Sequence, residues 1–449
     1  MIYLVVQNFQ YHSKIINGGS QSARNLILGL KNSSLDLTII SWRWKTDFQV
    51  FDFSSSIQFE TREFGKYISI ELPAIQTWKD RNIIALFQKI LSQLPTQTGI
   101  FHLLEVKESL GCWLEALAST EFKVVVTALD YAWLCANSHL LTRTSQRCQG
   151  PQDEVSCLQC HYNHRDVMKK VALKLLLAST YFPSELKKIY PENISKIIEK
   201  TSRKRRITET RLTNLRPDFQ QIDALIAPSQ SLKHFFARNG LPVDKIFHVP
   251  YGTQPGTQIR RSDRPSDGIV FGFVGKLTFD KGLDILIEAL SQVRSQTDRN
   301  VSLIVYAGND KSGFGKQMTR KINALSWISQ RQFNGRDARS IDDAHRRIHF
   351  QVAPSRWTDN LPNAVLEGIE RQTPIIAPKY GSFLEMVEEG VNGWLYPENT
   401  VGELKQLLEQ IVRNPAHFAR LPFDDSKTRL PQAEAEDIVQ IYQQLLPSS

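Results

Sequence analysis

The stretch PSRWTDNLPNAVLEGIERQTPIIAPKYGSFLEMVEEGVNGWLYP, at 354–397, decides how this chain is read. Asp359 and Glu367 stand eight residues apart, with Pro362 between them. Proline suits the first position of a helix, where its missing N–H is no loss. A helix is therefore expected over 362–371, with Asn360 and Leu361 just outside it. Asp359 then lies on the loop before the helix. Glu367 lies just over one turn inside, on the face of Asn363. The unpaired amides at such a helix start attract anions. In a cleft, Asp359 could accept hydrogen bonds from sugar hydroxyls and Glu367 from a ribose diol. The plainer reading is a solvated helix face.

Working outward, strands alternate with helices. TPIIAPK (373–379), HFQVAPS (349–355), SLIVYAG (302–308) and GIVFGFVGKL (268–277) are short apolar runs, as expected of parallel strands buried on both faces. Helices are expected near 281–293, 313–325, 382–389 and 401–413. Gly275-Lys276 and Lys281-Gly282 fall where one strand ends and the next helix opens, which is where open α/β sheets bind ligands. The first half repeats the alternation. Strands are expected at 3–7, 37–42, 99–104, 123–129, 224–229 and 245–252, with helices at 20–31, 82–93, 108–119 and 230–239. Asn17-Gly18-Gly19-Ser20 sits between the first strand and the first helix, where glycines let backbone amides approach an anion. Two βα series imply two doubly wound, Rossmann-like domains facing across a cleft. Their expected bounds are 1–252 and 268–420, joined by the Pro/Gly/Ser-rich linker 253–267. Residues 131–216 carry no strand pattern and read as an insertion. A terminal amphipathic helix within 421–449 is expected to pack back on the first domain.

Composition agrees. A chain of 449 residues suits two or three domains at roughly 150 residues each. With 41% hydrophobic and 22% charged residues it is neither disordered nor collagen-like, and five cysteines make no disulfide scaffold. No apolar run approaches the roughly 18 residues of a membrane span, and the N-terminus shows no signal-peptide pattern. A cytoplasmic location is the expectation. The net charge of +9 is local, because 165–216 holds 14 Lys and Arg against 5 Asp and Glu. Such a segment suggests an anionic partner.

Taken together, the motifs resemble the GT-B glycosyltransferases of family 4, the glycosyl transferases group 1. That family's pattern is met here by Pro354, Ser355, Trp357, Asp359, Pro362, Glu367, Pro374, Gly381, Glu385, Asn392 and Gly393. Gly18-Gly19, Gly275-Lys276 and Lys281-Gly282 match its donor-side motifs in order and place, and 227–252 looks like its inter-domain segment. The resemblance implies transfer of a sugar from a UDP- or GDP-sugar to a glycan or lipid-linked acceptor, with retained anomeric configuration. It implies polysaccharide or glycolipid biosynthesis and no cofactor required for catalysis. Lys276, Lys281 and the Gly18-Gly19 turn would hold the pyrophosphate. Glu367 would hold the ribose and Asp359 the donor sugar. Gly275, Asn360, Leu361 and Asn363 would complete the donor site. The sequence departs from the family at Asp359, for a usual Glu, and at Lys276, for a common Arg. Leu129-Asp130 stands where the family often has His-Asp. Asp130, Glu105, His102 or His12 is left to serve the acceptor.

Cys135, Cys148, Cys157 and Cys160 have a spacing that could form a four-thiolate structural zinc site, or remain unligated thiols. The basic stretch 166–211 carries Lys169, Lys170 and Lys174 among apolar residues, and then the run Ser202–Arg206. It could lie on an anionic membrane surface, making the protein peripheral on the inner face, or be a solvated insertion. No RNA-binding motif accompanies it, so no nucleic-acid partner is expected. The alternatives to an enzyme are an inactive GT-B scaffold that binds nucleotide-sugar or glycan and, further off, a zinc-containing nucleic-acid binder.

Overall fold

The computed structural model describes residues 1–7, 18–44, 57–62, 65–72, 77, 79–160, 192–259, 264 and 267–446, apart from 32, 34, 105, 136–137, 143–144, 152–155, 158–159, 309, 311, 333–336 and 425–426. His12, Glu105 and the stretch with Lys169, Lys170 and Lys174 lie outside the described residues.

Two sheets organise the chain. The first contains β1 (Ile2–Gln7), β2 (Leu37–Trp44), β3 (Ile57–Arg62), β4 (Gly65–Leu72), β5 (Thr98–Leu104), β6 (Glu121–Thr127), β7 (Ala224–Ala227) and β8 (Ile246–His248). Their spatial order is β3-β4-β2-β1-β5-β6-β7-β8. Every pairing is parallel except β3 with β4. The second sheet contains β9 (Ile269–Val274), β10 (Val301–Tyr306), β11 (Ile328–Arg331), β12 (Phe350–Val352), β13 (Ile375–Pro378) and β14 (Gly393–Tyr396). It is wholly parallel, in the order β11-β10-β9-β12-β13-β14. Strand order reverses between β1 and β5 and again between β9 and β12. Loops diverge at such points and leave a crevice at the carboxyl ends of the strands.

The helices cover the sheets with apolar faces spaced at three and four residues. In Arg81–Ser92 the face is Ile83, Leu86, Phe87, Ile90 and Leu91, and Asp80 caps its start by accepting from the Asn82 amide. Phe87 stacks on Trp113 at 3.6 Å between centroids, with Trp42 and Phe101 around them. Each such buried side chain contributes about 1.5–3 kcal/mol of transfer free energy.

Several boundaries differ from expectation. The strand expected at 245–252 stops at His248, since Pro250 cannot donate to the ladder. The helix expected at 108–119 begins as a tight turn, Lys107–Ser109, before Leu110–Leu117. The insertion does not end at 216. Helix Glu192–Gln220 runs through that position, with Pro217 inside it, and leads into β7.

Helix Pro431–Leu445 packs on the first sheet and on helix Gly18–Lys31. The approach is close, because a Cβ on Gly29 would come within 2.2 Å of the Pro431 carbonyl oxygen. The Gly252 amide donates to Glu434 Oε2 at 2.7 Å. His102 Nδ1 pairs with the Tyr442 hydroxyl at 2.6 Å, and its Nε2 with Thr127 Oγ1 at 2.7 Å. His102 is fully buried, and burial pulls its pKa down to about 3. It is therefore a neutral strut for the last helix, with both nitrogens engaged, and not a group facing an acceptor.

Candidate active site

The site lies at the carboxyl ends of β9, β12 and β13. After β9, Gly275 and exposed Lys276 are followed by the turn Phe279–Lys281. Gly282 has φ 71°, and a Cβ there would meet the Pro354 carbonyl oxygen at 1.9 Å. Only glycine lets the chain turn this close, and the turn aims Lys281 at the loop after β12. There Lys281 Nζ forms an ion pair with Asp359 Oδ2. Asp359 is 4% exposed and also accepts from Ser355 Oγ and from the Asn360 amide, both at 3.2 Å. Next to it, Arg356 grips Asp284 with two 2.7 Å bonds. Arg356 is thereby neutralised locally, and Lys276 and Lys281 follow one another along the loop after β9.

Pro362 is not the first helical residue. It sits one position earlier with ψ 116°, and the helix is Asn363–Glu370. The Val365 and Leu366 amides reach back to the Pro362 carbonyl. Leu361 has φ 43°, and its amide donates to Ser382 Oγ at 3.0 Å. Asn360 spans to the first sheet, accepting from Ser229 Oγ at 2.7 Å and donating to the Leu129 carbonyl at 2.9 Å. Asn363 donates to Ser22 Oγ at 3.2 Å. Asn360 and Asn363 thus join the two halves of the crevice, and the Leu361 amide already has an acceptor. Gly18 and Gly19 form the first turn of helix Gly18–Lys31, the helix that carries Ser22.

A third crossing is made by Glu385. Its carboxylate accepts from the Gln230 and Ser231 amides at 2.7 and 2.8 Å, at the start of helix Gln230–Arg238. A charged cap of this kind stabilises by about 1–2 kcal/mol. Glu385→Ala should lower the urea-unfolding free energy by that amount, with a scattering profile showing a more open particle. An unchanged profile and midpoint would count against this crossing.

Glu367 is half-buried one turn into its helix. Burial pushes its carboxyl up to about 8, and Arg371 one turn on pulls the other way. That pull is weak because Arg371 is committed to Asp342 at 2.7 Å. Asp130 is held at the end of the β6 loop, where its carboxylate accepts from the Ala132 amide at 2.7 Å. Burial raises its pKa, and Lys107 and His139 nearby moderate the rise.

The segment after Asp130 supplies what the sequence reading missed. Trp357 is ringed by Tyr131, by His139 edge-on at 4.8 Å between centroids, and by Lys281 Nζ at 5.1 Å. Arg147 lies over the Tyr380 ring at 3.9 Å. A cavity of about 470 Å³ opens there, with Gln146, Gln149, Tyr380, Glu398 and Asn399 among its lining. Lys107, Ser138, Leu140, Ser145 and Leu361, five of the seven described non-glycine residues with left-handed φ, belong to this site. Backbone strain of this sort persists where surrounding structure enforces it, and it clusters at functional sites.

None of the four clustered cysteines is in a disulfide, and all four are half-buried. Cys148 donates its thiol to the Gly150 carbonyl, and among the described residues no group of three or more His, Cys, Asp or Glu side chains could hold a metal ion.

Two parallel sheets around a shared crevice, with an acid–lysine pair at a switch point, can be compared with known folds. The structure aligns over 99% of its length with 98% of sucrose-phosphate synthase from Thermosynechococcus elongatus, at TM-score 0.64 and 16% identity. It aligns over 99% with 97% of HepE from Anabaena, solved in complex with UDP and glucose, at TM-score 0.57 and 16% identity. The chain has the GT-B fold. Residues 256–422, which contain this half of the GT-B crevice, match the family model of Glycosyl transferases group 1. An uncharacterized glycosyltransferase of Methanocaldococcus jannaschii is 31% identical over 142 residues, covering 32% of this chain and 38% of that one. The lipopolysaccharide 1,2-N-acetylglucosaminetransferase of Salmonella typhimurium is 25% identical over 195 residues, covering 40% of this chain and 50% of that one. The chain thus spans half or less of the length of these two curated relatives. Among the described residues, no helix is long and apolar enough to cross a membrane.

Proposed function

We propose that this chain is a retaining glycosyltransferase that moves a sugar from a nucleotide-sugar to a glycan or lipid-linked acceptor in polysaccharide or glycolipid assembly. The observation that carries the reading is the Lys281–Asp359 pair at the β9/β12 switch point, with Lys276 beside it and Glu367 on the following helix. A nucleoside diphosphate leaves with growing negative charge. Lys276 and Lys281 meet that charge as fixed cations, a form of stabilisation typically worth a few kcal/mol per group. Asp359 holds Lys281 in place and offers its carboxylate to donor-sugar hydroxyls. Glu367 accepts from the ribose diol. The cavity beneath the 145–149 segment, lined by amides, hydroxyls and one aromatic ring, takes the acceptor sugar. Its charged lining is Arg147, Glu398 and Arg356, and Arg356 is already paired with Asp284, which suits a hydroxyl-rich ligand of little charge. Retention of configuration rests on the resemblance to family 4.

The test is calorimetric titration of UDP, GDP and their sugars into the wild type and Glu367→Ala. One nucleotide should bind selectively, and Glu367→Ala should weaken it by about 10- to 100-fold, the loss of one or two hydrogen bonds of about 1–1.5 kcal/mol each. No binding of either nucleotide to folded wild-type protein would overturn the reading.

A further inference from the structure

We propose that His139 contacts the transferred sugar of the bound donor, and so makes the site prefer a nucleotide-sugar over the bare nucleotide. This rests on the glycosyltransferase reading above.

His139 is positioned by constraint. Ser138 and Leu140, on either side of it, have φ of 61° and 49°. A left-handed backbone costs a non-glycine residue about 1 kcal/mol or more, so two flanking one residue need a rigid frame. The frame is visible. Leu140 is buried in the core and its carbonyl accepts from the Cys148 amide at 2.6 Å. The Ser138 amide donates to the Cys135 carbonyl at 2.9 Å. The result is an imidazole held at 81° to the Trp357 ring, whose neighbour Lys281 is paired with Asp359. His139 is therefore one ring away from the pair that faces the leaving diphosphate.

Its polar atoms are not used for packing. Among the described residues, neither ring nitrogen of His139 makes a hydrogen bond. Neither nitrogen is among the buried unpartnered polar atoms of the described residues, so both are open to a ligand that enters the crevice. An imidazole offers at least one N–H donor to a sugar hydroxyl, and its second nitrogen donates or accepts according to its protonation. The diphosphate is the poorer fit. It already has Lys276 and Lys281, and the Asp130 carboxylate near His139 repels a second anion. No periodicity or motif marks His139 in the sequence, and its place follows only from the fold of 130–150.

The test uses the intact chain and the variants His139→Phe and His139→Gln. UDP, UDP-glucose, UDP-galactose, UDP-N-acetylglucosamine, GDP and GDP-mannose are titrated into each. Phe preserves the edge contact with Trp357 and removes hydrogen bonding, and Gln restores a donor and an acceptor. The affinity of the bare nucleotide should stay within about twofold in both variants. The affinity of its sugar conjugate should fall about tenfold in His139→Phe, as for one lost hydrogen bond, and recover in part in His139→Gln. If His139→Phe binds the conjugate as the wild type does, or loses nucleotide and conjugate equally, His139 only packs and the proposal is overturned. If the wild type binds a nucleotide but no conjugate differently from it, the proposal also falls while the donor-site reading stands. If the wild type binds neither nucleotide, the glycosyltransferase reading fails first.

Discussion

Asp359→Asn should reduce sugar transfer by about 10²- to 10³-fold while leaving the affinity for the nucleoside diphosphate within about threefold of wild type. The two readouts separate because Asp359 and the nucleotide share Lys281. In the folded chain Lys281 is paired with Asp359, which is itself almost fully buried. Asparagine keeps the size of the side chain and the contacts from Ser355 and the Asn360 amide, but it removes the charge. Lys281 is 24% exposed at its side chain, so water can reach it once its partner is neutral. Its full charge then becomes available to the diphosphate, and nucleotide binding is expected to hold or tighten. What is lost is the carboxylate that orients the donor sugar. Nucleotide release in the presence of acceptor measures the first effect and calorimetry with UDP or GDP the second. Equal loss of both would point to damaged folding, and undiminished transfer would remove Asp359 from the reaction.

Glu434→Gln should stabilise the protein at alkaline pH, by an amount that disappears in acid. Glu434 is 3% exposed, and burial pushes its carboxyl up to about 8 although the Gly252 amide and Arg429 favour the charged form. In the unfolded chain the same group titrates near 4.5. Between those values the folded state binds more protons than the unfolded state. Stability is therefore fully present below about 4.5 and falls as pH rises towards about 8. Burial moves Glu367 in the same direction, so both acids contribute to one alkaline loss. Glutamine keeps an oxygen to accept from Gly252 and cannot ionise. At pH 8.5 the gain in urea-unfolding free energy should be on the order of 2–4 kcal/mol, shrinking to nearly nothing at pH 5. A difference independent of pH would show that the carboxyl of Glu434 is not displaced by burial.

The parts of the fold that could be read in advance are those whose side chains repeat a pattern. β1, β5, β6, β9 and β10 are continuous apolar runs because both faces are covered. β3, β4, β11 and β14 are not among the expected strands. β11 is an edge strand with one buried residue in four, so burial left little trace in its composition. β3 and β4 form an antiparallel edge hairpin in which apolar and polar residues alternate, a pattern unlike that of the central strands. The site divides in the same way. Asp359, Lys281 and Gly282 could be placed because local geometry restricts the residue types there. The roles of Asn360, Asn363 and Glu385 depend on partners 131, 341 and 155 residues away, which no local window contains. His139 is held by strained neighbours that are serine and leucine, residues that announce no left-handed backbone.

The helix Pro431–Leu445 also bears on how the molecule is made. Ile438, Ile441 and Tyr442 cover Leu4, Val125 and Ile226 on one face of the first sheet. That face is complete by residue 248, yet its cover is encoded beyond residue 430. The ribosome adds about 5–20 residues per second, so the roughly 180 residues in between take about 10–35 s to appear. During that interval helix Gly18–Lys31 covers only part of that face, and the apolar surface that Ile438, Ile441 and Tyr442 will bury stays open, next to a second half that can close its own core. The first half of the chain thus completes its core only after the second half has been made, and the interval before helix Pro431–Leu445 emerges is when its open face is most exposed to aggregation.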